Sequence, residues 1–287
     1  MLSIKELLKH KTVLTNIYKM NASVIISTYN SPEWLEKVLL GFLCQSHKEF
    51  EIIIADDGST QETARLIDNY KIQFESLVHV WHPDEGFRKC QILNKAIEAS
   101  TTPYLIFTDG DCIPRKDFLK NHLKYREEGK FLSGGYFKLP LSISKAITPE
   151  IIENQLCFDT EWLAENGLEN TFKNTKLSNS KTLTSILNAI TTTKPSWNGH
   201  NASGWKEDIL AVNGFDERMK YGGEDRELGE RLENYGISGT QIRYKAICVH
   251  LDHERSYIKE EDLIQNKAIR KATKKNKTVF TPYGIKK

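Results

Sequence analysis

Tyr104-Leu105-Ile106-Phe107-Thr108-Asp109-Gly110-Asp111 decides the fold, because an uncharged apolar run closes on two carboxylates. Such a run predicts a buried strand, and carboxylates at its mouth are costly unless something positive sits between them. In extended chain, side chains i and i+2 share a face, so Asp109 and Asp111 point the same way while Gly110 lets backbone come close. Together they form a hard-oxygen claw suited to Mg2+ or Mn2+ carrying a phosphate-bearing ligand. Two acidic residues around a glycine also make an ordinary solvated turn, so the flanking chain has to decide.

Upstream, strand, acidic turn and helix recur. Residues 23–28 predict a strand, Tyr29-Asn30-Ser31-Pro32 a turn, and residues 33–44 a helix. A second strand at 51–55 ends in Asp56-Asp57-Gly58-Ser59, where Ser59 or Thr60 can cap a helix through about residue 70. Residues 78–81 predict a third strand. Residues 89–99 predict a helix with Ile92, Leu93, Ala96 and Ile97 on one stripe, and Pro114 introduces another over 116–127. This alternation predicts an α/β fold, a mostly parallel sheet with helices on both faces. Ligands bind at the carboxyl ends of such strands, so Asp57 and the aspartate pair share one edge.

Beyond Phe131 the pattern loosens into a smaller lobe with a soft boundary near Pro140, and the polar stretch 170–195 is a candidate lid. The expected organisation is a basic amphipathic segment 1–20, a main domain 21–255 with halves at about 21–139 and 140–255, and a basic helix and tail 256–287.

Composition excludes several classes. The chain has 287 residues, 39% hydrophobic and 27% charged, as in a globular protein rather than a disordered one. No apolar run approaches the ~20 residues of a spanning helix, and Lys5, Glu6, Lys9, His10 and Lys11 interrupt the start, against a cleaved signal. Cys44, Cys90, Cys112, Cys157 and Cys248 contain no Cys-x-x-Cys pair, which fits a reducing cytoplasm. A net charge of +2 argues against a nucleic-acid partner. Lysines and arginines nevertheless crowd residues 267–287, and with the leucine-bearing segment 2–14 they suit contact with the inner face of an anionic membrane.

A second acidic group, Tyr221-Gly222-Gly223-Glu224-Asp225-Arg226-Glu227, opens a helix over 226–235 with Leu228 and Leu232 facing inward. Carboxylates are favoured at a helix start, and one fixed there can serve as a general base toward an attacking hydroxyl. Asp225 is assigned that part and Glu224 the holding of acceptor hydroxyls. Near the end of the sheet region, Ala246-Ile247-Cys248-Val249-His250-Leu251-Asp252-His253 offers His250 or His253 as a nitrogen ligand, a mixed set that favours Mn2+ over Mg2+.

These segments, in order, resemble the family 2 glycosyltransferases of the GT-A fold. The resemblance spans about residues 23–252 and rests on Ser27-Thr28-Tyr29-Asn30, Asp56-Asp57-Gly58-Ser59, Gly86-Phe87-Arg88-Lys89, Asp109-Gly110-Asp111, Gly222-Gly223-Glu224-Asp225 and His250-Leu251-Asp252-His253. It implies that Ser27 and Tyr29 line a nucleotide base pocket, that Asp57 accepts a hydrogen bond from uracil, and that Arg88 and Lys89 approach the diphosphate. Asp109 would face the ribose or sugar, and Asp111 the metal.

The stretch Asn198-Gly199-His200-Asn201-Ala202-Ser203-Gly204-Trp205 is similar to the sugar shelf of galactosyl- and N-acetylgalactosaminyl-transferring branches, including chondroitin-polymerase-type domains. That likeness implies Asn201 at the acceptor and Trp205 or Trp197 stacked on a sugar.

The expected activity is metal-dependent, inverting transfer of a hexose or N-acetylhexosamine from a UDP-sugar to a glycan or lipid-linked glycan, in surface polysaccharide or lipooligosaccharide synthesis. Two alternatives stand beside it. One is a haloacid-dehalogenase-like Mg2+-dependent phosphohydrolase, which also carries Asp-x-Asp after a strand, and the other a nucleotide- or sugar-binding module without turnover.

Overall fold

A computed structural model describes residues 20–254 and 258–286. The basic segment 2–14 lies outside the described residues. The elements run β1 (Ala22–Thr28), α1 (Pro32–Leu43), β2 (Phe50–Asp56), α2 (Gln61–Tyr70), β3 (Leu77–Trp81), α3 (Lys89–Ala99), β4 (Tyr104–Asp109), β5 (Cys112–Pro114), α4 (Phe118–Tyr125), β6 (Lys130–Ser133) and β7 (Gly135–Lys138). There follow α5 (Leu141–Ala146), α6 (Pro149–Glu153), α7 (Thr160–Glu165), α8 (Lys181–Ile190), β8 (Ala202–Trp205), α9 (Lys206–Ala211), α10 (Glu224–Tyr235), β9 (Ser238–Gln241), β10 (Ile247–His250) and α11 (Glu260–Asn276).

Seven strands form one sheet in the order β3-β2-β1-β4-β8-β6-β9, and β5-β10-β7 form a second. β3, β2, β1 and β4 are parallel, and β8 is antiparallel to both β4 and β6. The chain leaves β1 toward β2 and later returns on its other side as β4, so the topological switch point lies between β1 and β4.

Alternation along the buried strands splits the core in two. Val24, Ile26, Ile52, Ile54 and Ile106 pack with Leu35, Val38, Leu39 and Phe42 of α1. Ile25, Ile53, Leu105 and Phe107 pack on the other face with Leu93, Ala96 and Ile97 of α3 and Leu228 and Leu232 of α10. Helices thus cover both faces, as the apolar runs require.

Some local expectations are corrected. Neither Ser59 nor Thr60 caps α2 with its side chain. Ser59 Oγ instead accepts from the Asn30 backbone at 2.8 Å, and the Thr60 backbone donates to Asn30 Oδ1 at 2.9 Å, so the two acidic-edge turns tie each other. Pro114 ends β5, and the helix begins four positions later, at Phe118. The lobe shares the main core, since Ile143, Ile152, Phe158 and Leu163 join the cluster under α1. Among the described residues no helix is long and apolar enough to cross a membrane.

Candidate active site

Register pairs Ser27 with Ala55 and Asp109, so β1, β2 and β4 end along one edge. Ser27 Oγ donates to Asp109 Oδ1 at 2.6 Å, and the Gly110 amide donates to the Ser27 carbonyl at 2.7 Å, fixing the acidic turn to β1. At the start of α3, Lys89 places Nζ 2.7 Å from the same Asp109 oxygen. Burial opposes both charges, but their mutual attraction prevails: Lys89 holds its proton more tightly than an ordinary lysine, and Asp109 stays ionised well below the usual carboxylate range.

Asp111 faces two imidazoles. The Leu251 amide donates to the Asp111 carbonyl at 2.8 Å, which brings the end of β10 against the acidic turn. His253 Nε2 lies 2.9 Å and His250 Nε2 3.6 Å from Asp111 Oδ2. The three ligand atoms lie within 4.8 Å of one another. His253 Nδ1 lies 2.7 Å from the Glu254 carbonyl, an oxygen that only accepts. Nδ1 therefore donates there, which directs Nε2 at Asp111 Oδ2 and makes it the nitrogen that a bound cation would take. Burial would raise the Asp111 carboxyl, but the hydrogen bond from His253 and the nearby His250 bring it below its ordinary value. One carboxylate oxygen and two imidazole nitrogens fit a divalent metal ion.

Along the same edge, Asp57 accepts from His82 Nε2 at 2.7 Å and from the Arg88 backbone at 2.9 Å, while burial pushes its carboxyl upward. Tyr29 donates to Asp84 at 2.8 Å from a half-exposed position. The Arg88 guanidinium lies 2.7 Å from Glu85.

The opposite wall comes from α10. Gly223 precedes it at φ +91°, a left-handed conformation that favours glycine, and starts the helix with Glu224 and Asp225 turned into the cleft. The Gly199 amide donates to Asp225 Oδ2 at 3.0 Å, and the Gly222 amide to Glu224 Oε2 at 2.9 Å. Burial first, and the Asp225 charge second, push the Glu224 carboxyl up to about 7. From α11, Asn266 Nδ2 reaches the carbonyls of Lys220, Tyr221 and Gly222 at 2.9, 3.2 and 3.1 Å, clamping the loop that carries both acids. Arg270 and Lys274 both pair with Glu230, so part of the basic tail is engaged inside the fold.

Between these walls lies a cleft of about 960 Å³. Ser27, Tyr29, Asp57, Arg88, Lys89, Asp109, Asp111, Glu224, Asp225, His250 and His253 all line it. Asn201 and Trp205 do not. Asn201 is fully buried, bonding His122 Nε2 at 2.9 Å and the carbonyls of Gly135 and Ala246 at 2.7 and 3.1 Å, so no amide group remains for an acceptor. Trp205 pairs with Tyr104 at the start of β4, the end remote from the acidic turn, and donates to the Glu127 carbonyl at 3.0 Å. Trp197 is fully buried between Phe107 and Phe131. None of residues 170–195 lines the cleft, and Asn188 ties α8 to the Gln241 carbonyl at 2.8 Å.

His200 is a cleft residue that the sequence left without a part of its own. Its ring packs edge-on against Tyr136 at 4.5 Å between centroids, and its buried Nε2 has no hydrogen-bond partner among the described residues. Its place in the Asn198–Trp205 stretch, beside the Gly199 that binds Asp225, was the signal for it.

Comparison with known proteins agrees with this geometry. Residues 23–140 match the sequence model of "Glycosyl transferase family 2", and residues 192–254 that of "N-terminal domain of galactosyltransferase". The glycosyltransferase YfnE of Bacillus subtilis is 25% identical over 86% of this chain and 69% of its own length. Chondroitin synthase of Escherichia coli is 26% identical over 75% of this chain, which spans only 32% of that protein. Among solved structures, S. aureus TarS 1-349 in complex with UDP-GlcNAc superposes with a TM-score of 0.60 at 18% identity, over 90% of this chain and 69% of that one. Mannosyltransferase PcManGT from Pyrobaculum calidifontis, in complex with GDP-Man and Mn2+, gives 0.57 at 18% identity, over 92% and 64%. Nothing in these matches favours a phosphohydrolase.

Proposed function

The chain is a family 2 glycosyltransferase with the GT-A fold, and from that premise we propose that it moves a hexose or N-acetylhexosamine from a UDP-sugar to a glycan hydroxyl with inversion. The observation that carries the reading is the facing of two chemically different walls across one cleft: Asp111, His250 and His253 on one side, Glu224 and Asp225 on the other. A divalent ion held by Asp111, His250 and His253 would offset the charge that gathers on a departing diphosphate.

The chain's own residues supply the rest. Lys89 and Arg88 give positive charge beside the diphosphate position, while Ser27, Tyr29 and Asp57 form the adjoining pocket for the nucleoside. Asp109, anchored by Ser27 and Lys89, presents its remaining oxygen to ribose or sugar. Across the cleft, the Gly199 amide orients Asp225 so that it can take the proton of an acceptor hydroxyl. One displacement by that hydroxyl leaves the anomeric centre inverted.

The acceptor we favour is a growing surface polysaccharide or lipooligosaccharide, met at the cytoplasmic face of a membrane. The test is a panel of UDP- and GDP-sugars with Mn2+, read by thermal shift and by nucleotide release. We expect a UDP-hexose or UDP-N-acetylhexosamine to stabilise the protein most and to release UDP. Absence of stabilisation by every donor would overturn the assignment.

A further inference from the structure

Beyond the His200 end of the cleft stand cations that the transfer reaction does not use. The Lys176 ammonium lies 5.3 Å from the centre of the Tyr136 ring and donates to the Tyr136 carbonyl at 3.2 Å. Tyr136 in turn packs against His200, the neighbour of the glycine that holds Asp225. A continuous wall thus runs from the proton acceptor, past the unpartnered His200 nitrogen and the half-exposed Tyr136 ring, to Lys176.

Arg243 completes the cluster. Gly135 permits its approach: a Cβ there would fall 1.9 Å from the Arg243 carbonyl, so only glycine lets that backbone lie against the strand bearing Tyr136. Lys176, Lys173 and Arg243 have no carboxylate within ion-pair distance among the described residues, whereas Lys89, Lys138, Lys220 and Arg270 each have one. Burial, with the charges of Arg243 and Lys173 next to it, pulls the Lys176 ammonium down to about 8. Like charges gathered without a carboxylate favour an anionic ligand.

We propose that the acceptor is anionic, and that a phosphodiester or diphosphate adjoining its terminal sugar is held by Lys176, Arg243 and Lys173 at the Tyr136 rim while the sugar hydroxyl reaches Asp225. The proposal rests on the transferase reading and names its acceptor class. Such a phosphate could join a sugar to a lipid carrier or lie within a phosphate-linked polymer. The exposed face of α8, with Leu183, Ile186 and Ile190, flanks the basic segment, because Asn188 and Ser185 of that helix bond to Gln241 and Lys245. It gives an alkyl chain a place to lie.

The test uses the full chain with UDP and Mn2+ added to fill the donor side, titrated calorimetrically with decyl glucoside, decyl glucosyl phosphate and methyl glucosyl phosphate. The decyl phosphodiester should bind at least about tenfold more tightly than the neutral glycoside, the size of one charge-assisted hydrogen bond. That advantage should vanish in Lys176→Gln/Arg243→Gln and persist in the exposed-surface control Lys120→Gln. Equal binding of charged and neutral probes, or an advantage that survives in the double variant, overturns the proposal. Tight binding of the decyl ester alone identifies a lipid carrier, and equal binding of the methyl ester a phosphate-linked polymer. The heat of UDP binding, recorded first, reports separately on the donor reading.

Discussion

Lys89 Nζ and Asp109 Oδ1 meet at 2.7 Å where α3 begins and β4 ends, a partly buried charge pair joining the start of that helix to the acidic turn. The same ammonium lies 3.9 Å from the Cβ position of Gly199, whose amide holds Asp225. Both sides of the cleft therefore share this one cation.

Lys89→Met leaves the Asp109 charge without its partner. Removing one member of a buried pair costs 3–5 kcal/mol, and with these side chains 21% and 24% exposed the lower end applies, about 3 kcal/mol. Urea unfolding should show that loss, and calorimetry should show weaker UDP binding in the same variant. Lys89→Arg, which keeps the charge, should recover part of both.

Asp225→Asn keeps the shape and the Gly199 hydrogen bond but cannot accept a proton. Transfer should fall by the ~10²- to 10⁴-fold that general bases contribute, while the UDP-sugar dissociation constant stays within about twofold. Full transfer by this variant would displace Asp225 from the role.

Glu224 makes stability depend on pH in a defined direction. Its folded carboxyl, at about 7, lies above the ordinary 4.5 of the unfolded chain. The folded state therefore binds the proton more tightly, and this contribution is complete below pH 4.5 and lost as pH rises through 7. Thermal melts from pH 5 to 8 should show wild type losing stability relative to Glu224→Gln. Parallel curves would show that Glu224 is ionised throughout.

His253→Ala and Asp111→Asn should each lower Mn2+ affinity by more than the ~10-fold typical of outer-shell partners, read by the free Mn2+ signal in electron paramagnetic resonance. His250→Ala should have a smaller effect, since its nitrogen lies 3.6 Å from Asp111 against 2.9 Å for His253. Unchanged affinity in all three variants would place the ion elsewhere.

This edge of the cleft was legible because its residues lie at the ends of buried strands, and strand polarity alone brings Ser27, Asp57 and Asp109 together. Asp225 was legible for a related reason, as an acid fixed at a helix start. Trp205 failed because β8 runs antiparallel to β4, so its last residue lies at the remote end of the sheet, and nothing local declares that direction. Asn201 failed because an amide reads the same in sequence whether it meets a sugar or two buried carbonyls. Asn266 and Lys176 act across 44 and 40 residues of chain, a distance at which neither periodicity nor spacing carries a signal.

The Asn266 clamp has a consequence for how the protein comes into being. On the ribosome, the loop that carries Glu224 and Asp225 stays without this brace until Asn266, 44 residues beyond Gly222, has been made.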